Sequence, residues 1–206
     1  MTRVGRKEAS ALLVSFDGVL WQHDEVATTI IEKRARLTPG TVRAAAWAPE
    51  RVVPAMLGQA SRAAWLESTA ADLAGQVGSL TEAERIVEDW FICRGDVITD
   101  VVTFLADVHA AGVPVAVCAT GVDDVPDEVA ISVDVVVNAM DVGVAVTHPE
   151  FFTTACAAVA TNPADCLYVA TAPRLIAGAR AAGLMAYRYV GLSSLAYLRE
   201  VFALAP

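Results

Sequence analysis

The chain has 206 residues, 55% of them hydrophobic, which is enough to bury a sizeable core and suits one domain or a core domain with a modest insertion. Its 15 basic against 24 acidic residues give a formal net charge of -9. That is the wrong sign for attraction to nucleic acid or an anionic membrane, so neither is expected as a partner.

The first residues are basic up to Lys7 and run into apolar Ala9 to Phe16, a pattern that superficially resembles the start of a secretory signal. No small-residue cleavage site follows, and Asp17-Gly18 continues into a strand-to-loop turn, so Ala11 to Phe16 reads as a first strand. Elsewhere no charge-free apolar run approaches the roughly eighteen residues that span a bilayer. A soluble, cytoplasmic protein is expected.

About ninety residues then pass without a convincing strand. Thr28 to Leu37, Val52 to Ala74 and Thr81 to Phe91 are rich in alanine and leucine with interspersed charges, as amphipathic helices are. Thr81-Glu82-Ala83-Glu84 offers a capping box, threonine oxygen to the third amide and glutamate reaching back. Trp21, Trp47, Trp65 and Trp90 lie in or beside this stretch and read as core residues.

From there strands and helices alternate. Val101 to Ala111 reads as a helix before Gly112-Val113-Pro114, and Val113 to Ala119 and Val133 to Asn138 as strands. Phe151 to Ala160 is a helix, Cys166 to Ala170 a strand, Pro173 to Ala182 a helix stopped by Gly183, and Met185 to Val190 a last strand. Such alternation implies right-handed crossovers and a parallel sheet covered on both faces. The expected fold class is α/β, a Rossmann-like three-layer core of residues 1–20 and 96–206, with a helical cap inserted at 21–95. Cys93, Cys118, Cys156 and Cys166 are scattered without a CxxC pair, so buried free thiols are expected rather than a zinc site or disulfides.

Ser15-Phe16-Asp17-Gly18-Val19-Leu20, after Ala11-Leu12-Leu13-Val14, resembles the first motif of the haloacid dehalogenase (HAD) superfamily, in which a strand ends in DxDGT or DxDGV. Phe104 to Gly121, Asn138 to Phe152 and Pro163 to Gly183 resemble the family's later motif regions, so the resemblance spans most of the chain. It implies chemistry at the carboxyl ends of the strands. An aspartate attacks phosphorus, and a second aspartate two residues on acts as acid and base. A threonine or serine and a lysine hold the phosphoryl oxygens, and aspartates on the fourth strand bind magnesium.

Residue by residue, this chain departs from that pattern. Ser15 stands at the nucleophile's position and Asp17 at the acid/base position. Ala119-Thr120-Gly121 replaces Thr/Ser-Asn-Gly, Val146-Thr147-His148-Pro149 replaces Lys-Pro-Asp-Pro, and Ala170-Thr171 replaces an Asp-Asp pair. No shift of alignment recovers the later groups: the only lysines are Lys7 and Lys33, and the acids after His148 are Glu150, Asp165 and Glu200. Asp165 precedes its strand, about 16 Å from the catalytic edge at about 3.3 Å per residue. If Asp17 is read as the nucleophile instead, Val19 falls at the acid position, so either register keeps one carboxylate. Asp123 and Asp124, in the loop after the second strand, read as a solvated turn before Pro126.

A single carboxylate is a poor inner shell for magnesium, so no cofactor is expected. The main functional expectation is a pseudoenzyme, a binding or interaction module using the cap-core cleft, with Ala119, Thr120, Gly121, Thr147, Thr171 and Arg174 as cleft positions by resemblance. The alternative is an enzyme repurposed for non-phosphoryl chemistry, with Ser15, Asp17 and His148, or His23, as its catalytic groups. A residual HAD-type hydrolase is the third reading, disfavoured by Ser15. His109, near a helix end, suits the helix dipole, and Cys118 reads as core. The expected partner is a small molecule or a protein, a second copy of the chain included.

Overall fold

The computed structural model describes residues 9–93, 95–122 and 125–204. The chain divides into two compact units, Met1–Trp21 with Val97–Pro206, and Gln22–Asp96.

The first unit is built on a five-stranded sheet in the order β5-β4-β1-β6-β7. The strands are β1 (Ala11–Ser15), β4 (Val115–Ala119), β5 (Val135–Asn138), β6 (Cys166–Ala170) and β7 (Met185–Arg188). All pairings are parallel, with Ser15 beside Cys118 and Val14 beside Val169. The three inner strands are wholly buried and the two edge strands only partly, which explains why the inner ones read as unbroken apolar runs. Alternate side chains feed two clusters. Leu12, Val14, Val115, Val117 and Val169 pack with α6 (Thr99–Ala110) and α11 (Ser193–Val201), while Leu13, Ala116 and Tyr168 pack with α9 (Pro149–Ala158) and α10 (Pro173–Ala181). Short α7 (Asp127–Ala130) and α8 (Ala139–Val142) flank β5. This is the α/β, Rossmann-like architecture expected.

The strands start or stop inside the predicted limits where the ladder ends. β4 begins at Val115, because Pro114 has no N–H to donate. β1 ends at Ser15, and three residues on the backbone enters the left-handed region at Gly18, φ 74°.

The second unit holds α1 (Glu25–Arg34), α2 (Thr41–Ala46), α3 (Pro49–Met56), α4 (Arg62–Val77) and α5 (Leu80–Ile92). The single helix expected over Val52 to Ala74 is in fact two, because Gly58 turns at φ 70° and Ser61 caps a new start. The capping box expected at Thr81 is corrected as well: Ser79 is the cap, its hydroxyl accepting from Glu82 N at 3.3 Å, and Thr81 lies inside the helix. Strands are present at the margins of the insertion, β2 (Trp21–His23) and β3 (Gly95–Val97), which pair as a two-stranded sheet. At three residues each they are too short to show alternation in the sequence.

Trp65 is the centre of this unit. Its ring meets Trp47, Trp90 and Phe91 edge-on at 6.2–6.3 Å, and its indole N–H donates to Ala46 O at 2.7 Å, so the polar end of a buried indole is satisfied. Glu32, fully buried, accepts from the backbone N–H groups of Gly40 and Val42 at 2.7 and 2.8 Å. Its carboxylate thereby caps the start of α2, where Gly40 itself has no side chain to do so.

Cys118, Cys156 and Cys166 are buried free thiols as expected, whereas Cys93 is exposed at the end of α5. Among the described residues no helix is long and apolar enough to cross a membrane.

Candidate functional site

The carboxyl ends of β1, β4, β5 and β6 bring the motif positions of the first unit to one edge. Ser15 closes β1 with 3% of its surface exposed, and its hydroxyl donates to the carbonyl oxygen of Asp17 at 3.2 Å. Asp17 is half-buried, its backbone bridged to Trp21. The chain folds back there because Gly18 takes a positive φ and its N–H reaches Trp21 O at 3.0 Å. A Cβ at Gly18 would stand 2.7 Å from the Thr171 hydroxyl. Glycine at 18 therefore lets the loops after β1 and β6 close on one another, and Thr171 lies directly against the loop that carries Asp17.

The neighbouring positions are similarly packed. Ala119 is buried at the end of β4 beside Asn138, and Thr120 follows it half-buried. Gly121 turns at φ 89° with its Cα against Met140 of α8, where a Cβ would fall 2.5 Å from the Met140 Cβ. The carbonyl of Thr147 lies so close to Gly178 of α10 that a Cβ there would stand 2.3 Å away, while the Thr147 residue itself is exposed. His148 is the N-cap of α9, its Nδ1 accepting from Glu150 N at 3.3 Å. That lone pair is occupied by the helix start rather than offered to a hydroxyl. Arg174 is exposed in the first turn of α10. His23 ends β2 and belongs to the second unit. Asp123 and Asp124 lie outside the described residues.

Two residues at this edge went unnoticed in the sequence. Tyr168 of β6 is fully buried with no hydrogen bond to its hydroxyl, and its ring meets Phe152 at 4.8 Å. Burial above all, with the Cys118 thiol and the Asp17 carboxylate adding, pushes its phenol well above the ordinary value, and the Ser15 hydroxyl acts in the opposite sense. The phenol thus stays neutral beside the position where the family keeps its nucleophile. Cys118, next to Ser15 in the ladder, is likewise raised by burial and by Cys166, which makes it a poor nucleophile. Arg188 ends β7 beside Ala170, and its Nε donates to Thr171 O at 3.3 Å. A hydroxyl inside an apolar strand and a charge ending one were the available signals.

The remaining groups placed from the sequence are structural in their surroundings. His109 near the end of α6 pairs with Asp134 at 3.2 Å. Asp165 accepts from Ser10 N through its backbone oxygen, at the start of β1 and thus at the opposite end of the sheet from Thr171.

The family model of haloacid dehalogenase-like hydrolases matches residues 11–183. With the parallel sheet and the strand-end motif positions described above, this places the chain in that family, to which it belongs. Among solved structures it is similar to a HAD family enzyme of Bacteroides thetaiotaomicron, at 13% identity and TM-score 0.72 over 93% of this chain and 98% of that one. It is also similar to the L-2-haloacid dehalogenase of Xanthobacter autotrophicus, at 20% identity and TM-score 0.61 over 96% and 85%. The 2-haloacid dehalogenase of Pseudomonas syringae pv. tomato is a third, at 17% identity and TM-score 0.64 over 95% and 98%. The sequence matches none of the curated proteins compared with it.

One further structure of the Bacteroides enzyme holds magnesium and inorganic phosphate, and the family motif implies such an ion. The donors described at the ends of β1 and β6 do not fit it. At the described ends of β1 and β6 the sole carboxylate is Asp17, the Ser15 hydroxyl is directed at a carbonyl, and Thr171 offers a neutral oxygen pressed on Gly18. Magnesium binds hard anionic oxygens in near-octahedral order, and this set supplies one.

Proposed function

We propose that the protein is a pseudoenzyme of the HAD family, a binding module that uses the carboxyl edge of its core sheet without phosphoryl transfer. The observation that carries this is the Ser15 hydroxyl. At the nucleophile's position it is buried and donates to the Asp17 carbonyl, and a serine without a base to take its proton is a weak nucleophile. The sequence supports the same reading, because it has no lysine beyond Lys33 to hold a phosphoryl group. The replacements leave the edge less charged than a phosphatase site and suit a small molecule with few formal charges.

The test is turnover of a broad panel of phosphate esters and 2-haloacids, with and without magnesium, by the purified chain. No turnover above the buffer rate is expected. Magnesium-stimulated turnover abolished by Asp17→Asn overturns the proposal.

A further inference from the structure

Charge is distributed unevenly along this acidic chain. Residues 97–165, which form α6, β4, β5 and α9, carry ten acidic residues and no lysine or arginine. The balance reverses at β6, since residues 166–206 carry four arginines against the single acid Glu200. In the sheet order β5-β4-β1-β6-β7 these two stretches form opposite halves, so the acidic half ends on β5 and the basic half on β7, and each of those strands pairs on one side only. Arg199 pairs with Asp107 where the halves meet. Four inter-strand spacings separate β5 from β7 by about 19 Å. That is more than twice the Debye length of about 8 Å at physiological ionic strength, so the two sides do not cancel each other and each keeps its own sign.

Both sides set apolar groups among their charges. Beside β5, Asp127 and Glu128 of α7 and Asp141 of α8 are exposed, and Ile131, just past α7, is 82% exposed. Beside β7, Arg174, Arg180 and Arg188 are exposed, Tyr187 stacks on the exposed Tyr197 at 4.9 Å, and Val190 is 69% exposed. The Arg180 guanidinium donates to Ala186 O at 3.3 Å. A charged side chain thus lies on the backbone of this edge strand and opposes its extension by another strand. Contact on the β7 side is made by side chains rather than by a continued ladder.

We propose that the β7 side of one copy docks on the β5 side of a second copy, arginines against acids and the tyrosine pair with Val190 against Ile131. Charge complementarity selects this occupant. The net charge of -9 makes whole copies repel, and β5 against β5 or β7 against β7 brings like charges together, so head-to-tail docking is the arrangement that opposes unlike ones. Such a contact is heterologous: each docked copy leaves one side open, and assembly does not stop at a dimer. The chemistry at the strand ends plays no part in it, so the docking stands apart from the pseudoenzyme reading.

The experiment is sedimentation velocity of the full chain over a wide range of concentration, in about 20 mM and about 300 mM sodium chloride. In low salt the average mass is expected to rise with concentration past that of a dimer, and in high salt the association should weaken by roughly tenfold or more. Arg174→Glu with Arg188→Glu, and separately Asp127→Lys with Glu128→Lys, remove the opposition of sign, and each double variant is expected to stay monomeric in low salt. Mixed in equal amounts, they regain one contact, an unaltered β5 side on an unaltered β7 side, and should give a 1:1 dimer. Should either double variant lose its fold by circular dichroism, Arg174→Gln with Arg188→Gln and Asp127→Asn with Glu128→Gln take their place. A parent chain that is monomeric at every concentration overturns the proposal. So does an assembly that persists in high salt, a double variant that associates as the parent does, or a mixture that stays monomeric. Phosphate-ester turnover bears only on the pseudoenzyme reading and leaves the docking as it is.

Discussion

Ser15→Asp restores the carboxylate that the family uses, and the structure says what this does. Position 15 has 3% exposure, with Cys118 beside it in the ladder and the Tyr168 phenol facing it. An uncompensated carboxylate buried there costs several kcal/mol. A charge-assisted hydrogen bond from the Tyr168 hydroxyl offsets about 2 kcal/mol of that, and the lost Ser15–Asp17 bond costs about 1 kcal/mol. The net expectation is destabilisation by about 4 kcal/mol at pH 7.5. Burial and the neighbouring Asp17 raise the pKa of the new group in the folded state, so its penalty is absent below the unfolded carboxylate range near pH 4. Above that range the penalty grows by about 1.4 kcal/mol per pH unit until the folded-state pKa is passed. Urea unfolding followed by far-ultraviolet circular dichroism at pH 5.0, 6.0 and 7.5 should show the variant approaching the parent as pH falls. Phosphate-ester turnover should stay at the buffer rate in magnesium, since Thr171 still supplies no charge. A variant as stable as the parent at pH 7.5, and newly active with magnesium, would refute this account of the site.

Two further substitutions test the packing on which it depends. Tyr168→Phe removes a buried hydroxyl that closes no hydrogen bond, so stability should be unchanged or rise by up to about 1 kcal/mol; a loss of more than 1 kcal/mol in the same urea assay would mean the hydroxyl has a partner after all. Glu32→Ala strips the acceptor from the N–H groups of Gly40 and Val42 and should cost about 3 kcal/mol, with Glu32→Gln near half of that. Thermal unfolding read by tryptophan fluorescence, which reports on the Trp65 cluster, checks it, and an unchanged midpoint for the alanine variant would count against the capping role.

The sheet was legible because its inner strands carry the simplest of signals. Ala11 to Ser15, Val115 to Ala119 and Cys166 to Ala170 are buried on both faces, so hydrophobicity alone marks them, and glycines punctuate what lies between. The helical unit was read less well, because helix breaks there are made by single residues such as Gly58 and Ser61 inside alanine-rich sequence, where composition hardly changes. The site was legible as a set of positions but not as an arrangement. Motif alignment finds Ser15 and Thr171, yet whether the Ser15 proton goes to a histidine or a carbonyl is a matter of side-chain direction, which spacing does not encode. Arg188 escaped for a related reason: it lies 17 residues from Thr171 in sequence and meets it through the parallel register of β6 and β7.

That same parallel register has a kinetic side. β1 pairs with β4 through Leu12 and Val115 and with β6 through Ala11 and Cys166, so the central strand waits for partners made about 100 and about 155 residues later. The intervening unit, Gln22–Asp96, is continuous in sequence and has its own Trp65 core, and β2 and β3 hold its two ends side by side. If it folds first, the loop to be closed between β1 and β4 shrinks from about a hundred residues to about twenty-five, which lowers the closure entropy by about 1 kcal/mol. In that order of events the helical insertion is a clasp on the chain, and its folding speeds assembly of the sheet whatever the edge of that sheet has come to bind.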